Sequence, residues 1–216
     1  LLMQQLQTPA QAAQWLRERV TGTLQSDSRK VQSGDGFIAW PGAAVDARQF
    51  VTSVLEQGVT ACLVEEYGLP AFGLIGEQVA SYRRLKVDTG SIAAEFFGMP
   101  SAALQVVAIT GTNGKTSSAW WLAQALSSLP GEQALPCGMV GTLGVGRPGA
   151  SVVATGLTTP DPVRLQQTLH GFVADGLKAC AMEASSIGIE EHRLAGTRIK
   201  VAVLTNLTQD HLDYHG

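Results

Sequence analysis

The sequence predicts an α/β protein with a mostly parallel sheet, in two parts: a small N-terminal α/β domain and a second, larger βα series. Three observations carry this. Residues 59–64, 104–110 and 177–182 are apolar without alternation, as strands covered on both faces are. Helix-period segments separate these strands, which is the order of βα units. The strand at 104–110 also runs straight into Gly111-Thr112-Asn113-Gly114-Lys115-Thr116, a tight glycine-flanked loop that opens a helix.

The elements follow in order. Residues 9–20 form a short helix with Ala12, Ala13, Leu16 and Val20 on one side. Phe37-Ile38-Ala39-Trp40 is a strand stopped by Pro41-Gly42. Residues 47–57 are helical, with Phe50, Val54 and Leu55 inward and Gly58 as the stop. With the strand at 59–64 they make one α/β unit over residues 1–75. A helix over 89–97 halts at Gly98-Met99-Pro100, and residues 98–101 read as a linker. The domains are therefore expected at 1–99 and 100–216, the second a truncated P-loop-type central domain, incomplete at its C-terminus. Its first strand precedes a helix over 116–129 that carries Leu122, Leu126 and Leu129. Trp120 and Trp121 cannot share a face of that helix, so one is expected in the core and the other toward a neighbouring domain. Residues 138–149 are glycine-rich and loop-like, with Met139-Val140 as a short strand. Asp161 is an N-cap and Pro162 a first-turn residue. Leu165, Leu169, Phe172 and Val173 then line one helix face up to Gly176. The last strands are 177–182 and 201–204.

Composition narrows the function. Apolar residues make up 45% of the chain and charged ones 15%, enough for buried cores and contrary to disorder. A net charge of −3 with no Lys/Arg run argues against nucleic acid as the main partner. Cys62, Cys137 and Cys180 lie far apart among small or apolar neighbours, as free buried thiols of a reducing cytoplasm do. No apolar run reaches the ~18 residues of a membrane span. The start, Leu1-Leu2-Met3-Gln4, has no signal pattern and no initiating Met, and the end follows a strand and loop, so a piece of a longer protein is expected.

The loop at 111–116 suits a nucleotide triphosphate. Backbone N–H groups of such a loop and helix N-terminus face phosphate oxygens, Lys115 neutralises their charge, and the Thr116 hydroxyl can ligate Mg²⁺. The loop is a shortened variant of the usual pattern, since Ile109 stands five before Gly114 where a glycine is usual. Ligands of open parallel sheets sit at the carboxyl ends of strands. Two further strands end in polar groups there, one in Glu183-Ala184-Ser185-Ser186 and one in Thr205-Asn206 ahead of Asp210-His211. Glu183 is a candidate Mg²⁺ ligand, the alternative being a capping or ion-paired carboxylate. His211 is a metal or phosphate partner, whereas Asp210 serves as well as a helix cap. Asp27-Ser28-Arg29 alone reads as a turn with a surface ion pair. Thr158-Thr159-Pro160 reads as a hydroxyl turn or as a pair facing a ligand. His170 belongs to the polar side of its helix, and His192 and His215 receive no role.

Taken together, these segments resemble the Mur ligases of bacterial cell-wall synthesis over nearly the whole chain. The matching blocks are Asp27-Ser28-Arg29 with Gly34-Asp35-Gly36-Phe37-Ile38-Ala39, Pro41-Gly42 with Asp46, and the loop 111–116. They continue in Thr158-Thr159-Pro160, Met182-Glu183-Ala184-Ser185-Ser186 with His192-Arg193, and residues 205–216. Folylpolyglutamate synthases share the loop. The D-S-R, T-T-P and E-A-S-S blocks point to the ligase that adds the third peptide residue. The resemblance implies ATP and Mg²⁺ at Gly111, Thr112, Asn113, Gly114, Lys115, Thr116 and Asn206, with Glu183 and His211 completing the metal site. It implies that Ser28, Ala43, Ala44 and Val45 meet the UDP end of UDP-MurNAc-L-Ala-D-Glu, and that Thr158, Thr159, Ser185 and Arg193 line its peptide. It further implies a diamino acid as second substrate (meso-diaminopimelate or L-lysine), an acyl-phosphate route, a cytoplasmic monomer, and a metal-site lysine and third domain beyond Gly216. A chain lacking these is expected to bind precursor without turnover. Two positions depart from the pattern: Glu191 stands where Gln is common, and Ile187 where His is. Other readings are a different Mur ligase and a non-catalytic nucleotide-binding module.

Overall fold

In the computed structural model, which describes residues 3–208, the chain opens with strand β1 (Gln4–Leu6) and helix α1 (Pro9–Arg17). Thr8 caps α1 by accepting from the Gln11 N–H, and Ala12, Ala13, Trp15 and Leu16 are buried. Next come β2 (Leu24–Gln25), β3 (Gly36–Ala39), a 3₁₀ turn (Ala47–Phe50), α2 (Val51–Glu56), β4 (Ala61–Glu65), β5 (Val79–Tyr82) and α3 (Leu85–Phe96). They form a parallel sheet in the order β1-β5-β4-β3-β2. One face packs Phe37, Ala39, Val51, Val54, Val59, Cys62, Val64 and Val79 into a core, and α1 pairs with α3. This compact unit is Leu1–Phe96.

The α/β unit thus reaches beyond the expected residue 75. The polar β1 and the four-residue β5 carry too little pattern to be read as strands. They hold their places through parallel ladders with each other and with β4. The 3₁₀ start also rotates the following helix: Val51 and Val54 are buried, while Phe50 and Leu55 are only partly so.

Glu65 ties β4 to α3. Its carboxylate accepts from Leu85 N at 2.7 Å, Arg84 N at 3.2 Å and Tyr67 N at 3.2 Å, and so caps the start of α3. Glu65→Ala leaves three N–H groups without an acceptor and is expected to cost about 2–4 kcal/mol. A lower urea midpoint at unchanged slope is the measurement that checks it.

The second unit is Phe97–Gly216. It contains β6 (Gln105–Thr110), α4 (Lys115–Ser127), β7 (Cys137–Gly141), β8 (Gly144–Gly146), β9 (Val152–Val153), α5 (Pro162–Ala174), β10 (Ala179–Glu183), α6 (Ser186–Glu190) and β11 (Val201–Leu204). The sheet order is β11-β6-β10-β7-β8-β9, with the first four parallel and β8 and β9 antiparallel. Along β10 the side chains alternate between two cores. Cys180 and Met182 join Leu165, Leu169 and Phe172 of α5, and Ala179 and Ala181 join Ala119 and Ala123 of α4. Two covered faces explain the unbroken apolar run. Trp120 packs against the α4 core while Trp121 is 68% exposed.

The glycine-rich stretch read as a loop is a β7–β8 hairpin joined by β9. Gly144 makes this possible: at φ +123°, an added Cβ would lie 2.2 Å from the Val153 carbonyl oxygen. Asp161 caps α5 by accepting from Val163 N and Arg164 N, with Pro162 in the first turn. All three cysteines are free and buried. Burial pushes the Cys62 thiol up to about 12 and that of Cys137 to about 11. Among the described residues, no helix is long and apolar enough to cross a membrane.

Candidate functional site

The carboxyl ends of β6, β10 and β7 bring the polar groups of the second unit together. From Thr110 the chain turns through Gly111 at φ +128° and Gly114 at φ +84°, where α4 starts without a side-chain cap. The first N–H groups of α4 thus have no capping side chain of their own, as at a phosphate-binding helix start. The Lys115 ammonium folds back over the loop and donates to the carbonyls of Gly111 and Thr112. These are contacts that a phosphate oxygen can replace.

Residues 205–208 strap this loop from behind. Asn206 accepts from Asn113 N with Oδ1 and donates to Asn113 O with Nδ2, both at 3.0 Å. Thr205 Oγ1 donates to Asn113 O at 2.7 Å, and Thr208 N donates to Thr112 Oγ1 at 2.9 Å. A Cβ at Gly111 would fall 2.2 Å from Thr205 Oγ1, so the strap demands glycine there. Asn206 therefore shapes the loop with both ends of its amide.

Glu183 ends β10 fully buried. Its Oε2 accepts from Thr116 Oγ1 at 2.9 Å and from Thr142 Oγ1 at 3.2 Å, and its Oε1 accepts from Thr142 N at 2.8 Å. A Cβ at Gly141 would sit 2.1 Å from Glu183 Oε1, so this carboxylate lies against bare backbone. A carboxylate beside a threonine hydroxyl at a phosphate loop is a hard-oxygen donor set that fits Mg²⁺. Among the described residues, no group of three or more His, Cys, Asp or Glu side chains forms a metal cluster. His211 lies outside the described residues, as does Asp210.

Across Glu183 lies a second polar group. Thr158 Oγ1 is 3.0 Å from Thr142 Oγ1. Thr159 is fully buried; its hydroxyl donates to the Glu183 carbonyl at 3.0 Å and accepts from Ser185 N at 3.0 Å. The sequence expectation that Thr159 faces a ligand thus meets a different arrangement, in which its hydroxyl clamps β10 to the loop before α5. Ser185 caps α6 by accepting from Gly188 N, and Arg193 donates from Nη1 to the Thr159 carbonyl at 2.9 Å. A cavity of about 250 Å³ has Thr112, Lys115, Thr158 and Ser185 in its wall. His170 bonds the Phe97 carbonyl through its ring at 3.1 Å. Sequence reading passed over Gly141 and Thr142. Their signal was their place at the end of the strand beside β10, hidden by the loop-like composition of 138–149.

In the first unit, Ser28, Asp27, Arg29, Phe37, Val45 and Phe50 border a cavity of about 520 Å³. Arg29 grips Asp27 in a two-point ion pair, Nε to Oδ1 and Nη2 to Oδ2, each at 2.8 Å. That hydrogen bonding holds the Asp27 carboxyl down at about 2. Ala43, Ala44 and Val45 form an exposed loop closed by Gly42 N donating to Val45 O at 2.9 Å. Buried Arg48 anchors the loop's exit, pairing with Asp46 at 2.7 Å and donating to Glu65 O at 3.1 Å. The ion-paired turn expected at 27–29 is present, and it borders a cavity.

A family model, Mur ligase middle domain, matches residues 109–216. The chain is 59% identical over 214 residues to the UDP-N-acetylmuramoyl-L-alanyl-D-glutamate--2,6-diaminopimelate ligase of Acidovorax sp. (strain JS42), covering 97% of this chain and 42% of that protein. It is 45% identical to the ligase of the same name from Ralstonia nicotianae, covering 94% of this chain and 40% of the relative. It therefore spans about two fifths of the length of these relatives. A solved structure of a ligase of that name superposes with a TM-score of 0.73 at 32% identity, over 90% of this chain and 38% of the other. MurF from Thermotoga maritima, solved in complex with ADP, shares the fold with a TM-score of 0.59 at 24% identity, over 90% of this chain and 39% of that one. With its phosphate loop, buried Glu183 and threonine cluster at one sheet end, the chain belongs to the Mur ligase family, and residues 109–216 match the middle domain of that family.

Proposed function

We propose that this chain is the precursor- and nucleotide-binding part of an ATP-dependent amide ligase that joins 2,6-diaminopimelate to UDP-MurNAc-L-Ala-D-Glu in the cytoplasm, acting as a monomer. The observation that carries the reading is the position of Glu183, buried between Thr116 of the phosphate loop and the Thr142–Thr158 pair. The names of the relatives support the choice of substrates. In this reading residues 1–99 hold the UDP end, with Ser28 and residues 43–45 beside the cavity, and residues 100–216 hold ATP and the peptide.

The reaction brings two anions together, the D-Glu carboxylate and the γ-phosphate of ATP. The carboxylate takes the γ-phosphoryl group and ADP leaves; the amine then attacks the carbonyl and phosphate departs. Lys115 and the open start of α4 hold the triphosphate and offset its charge. Thr116 and Glu183, with His211, would hold Mg²⁺, which when bound neutralises phosphate charge. Ser185 and Arg193 orient the peptide, Arg193 with guanidinium donors suited to a carboxylate. Thr159 serves the site by fixing β10 and Ser185.

Calorimetric titration with UDP-MurNAc-L-Ala-D-Glu, and with UDP-MurNAc-L-Ala as the control, tests this. Saturable binding of the dipeptide precursor is expected, weakened about 10–100-fold by Arg193→Ala, as for a charge-assisted contact. Equal affinity for both precursors would sink the assignment to the third-residue ligase.

A further inference from the structure

We propose that Thr142 is a positioning residue that turns the Thr158 hydroxyl into a hydrogen-bond acceptor for an amide N–H of the bound precursor. The inference rests on the ligase reading above. Each threonine hydroxyl has one proton to give and two lone pairs. Glu183 accepts from the Thr142 N–H at 2.8 Å, from the Thr142 hydroxyl at 3.2 Å and from the Thr116 hydroxyl at 2.9 Å. Thr142 thus grips this carboxylate twice.

The single Thr142 hydroxyl proton goes to the carboxylate, because a charge-assisted bond outweighs one between two hydroxyls. Thr158 Oγ1, 3.0 Å from Thr142 Oγ1, must then supply the proton of their contact. The row runs one way, from Thr158 through Thr142 to Glu183, and meets the Thr116 proton coming from the phosphate loop. Only lone pairs of Thr158 are left for the cavity that it borders with Lys115 and Ser185. The neighbouring hydroxyl of Thr159 is buried and committed to Glu183 O and Ser185 N. Arg193 carries donors alone. In the ligase reading Arg193 is the partner of an anion, and Thr158 is left to take an N–H. The peptide arm of the precursor carries both groups, carboxylates and amide N–H groups.

The test compares UDP-MurNAc-L-Ala-D-Glu with an analogue in which ester oxygens replace both amide N–H groups of the dipeptide arm. Dissociation constants are measured by calorimetry on the 216-residue protein, without nucleotide or metal. The native chain is expected to prefer the amide about 10-fold, the scale of one hydrogen bond plus an acceptor facing an acceptor. Thr142→Ser retains the hydroxyl and keeps the ratio. Thr142→Val frees the Thr158 proton to turn toward the ligand, and the ratio falls to about 1. A role in packing alone weakens both ligands by one factor and leaves the ratio intact, which overturns the proposal. An equal affinity of the native chain for both ligands does the same. If Thr142→Val does not fold, Thr158→Ala carries the test, with loss of the ratio expected and its persistence contrary. Absence of saturable binding of the amide precursor to the native chain overturns the ligase reading itself, a separate outcome.

Discussion

Lys115→Ala is expected to lower the affinity for ATP roughly 10- to 100-fold, the worth of a charge-assisted contact to phosphate. The Lys115 ammonium donates to the carbonyls of Gly111 and Thr112, so it is poised over the cradle. Its removal should leave the unfolding midpoint close to that of the native chain, which separates lost binding from lost structure. Gly111→Ala is expected to reach the same loss through shape, since its Cβ would meet Thr205 Oγ1 at 2.2 Å and Asn206 O at 2.7 Å. Calorimetric titration with ATP decides both. Undiminished affinity in Lys115→Ala would mean that residues 111–116 do not hold the triphosphate.

Glu183→Gln should abolish the gain in nucleotide affinity that Mg²⁺ brings. In the native chain that gain is expected to be about 10-fold or more, because carboxylate and phosphate oxygens share the cation. The substitution keeps the volume and exchanges an acceptor for an amide with two donors. Thr142 N on Oε1 is the fixed donor and keeps the amide oxygen on its side, so the N–H₂ faces the Thr116 and Thr142 hydroxyls, which must turn into acceptors and lose their charge-assisted bonds. A stability loss of about 1–3 kcal/mol is expected alongside. ADP titrations with and without Mg²⁺, for both proteins, separate the two effects. A Mg²⁺ response that survives in Glu183→Gln would remove Glu183 from the metal site.

Both predictions concern residues that the sequence singles out. What it misses is the support around them. Lys115 and Thr116 are visible because a glycine-flanked loop between an apolar strand and a helix is a local signal. Glu183 is visible because a carboxylate ending a buried strand contrasts with Ala179-Cys180-Ala181-Met182 before it. Thr142 and Gly141 are not, since their meaning comes from the parallel pairing of β7 with β10. That pairing links residues about forty positions apart and leaves no periodicity behind. Thr159 illustrates the reverse. The residue type and its neighbour Thr158 suggest a hydroxyl pair facing a ligand, but the chain bends through residues 156–159 and the two hydroxyls find different partners. One is buried against Ser185 and the other borders the cavity.

The fold divides in the same manner. The two-part α/β architecture, the buried strands, the Asp161 cap and the phosphate loop follow from the chain's own residues, because burial on both faces and capping leave local patterns. The polar strand β1, the short strand β5, the 3₁₀ entry to α2 and the β7–β9 hairpin follow from partners distant in sequence, whose ladders hold segments of weak local preference. The direction of the Thr158–Thr142–Glu183 row belongs with these. Each hydroxyl can give or accept when taken singly, and only the buried carboxylate at the end of the row makes the choice.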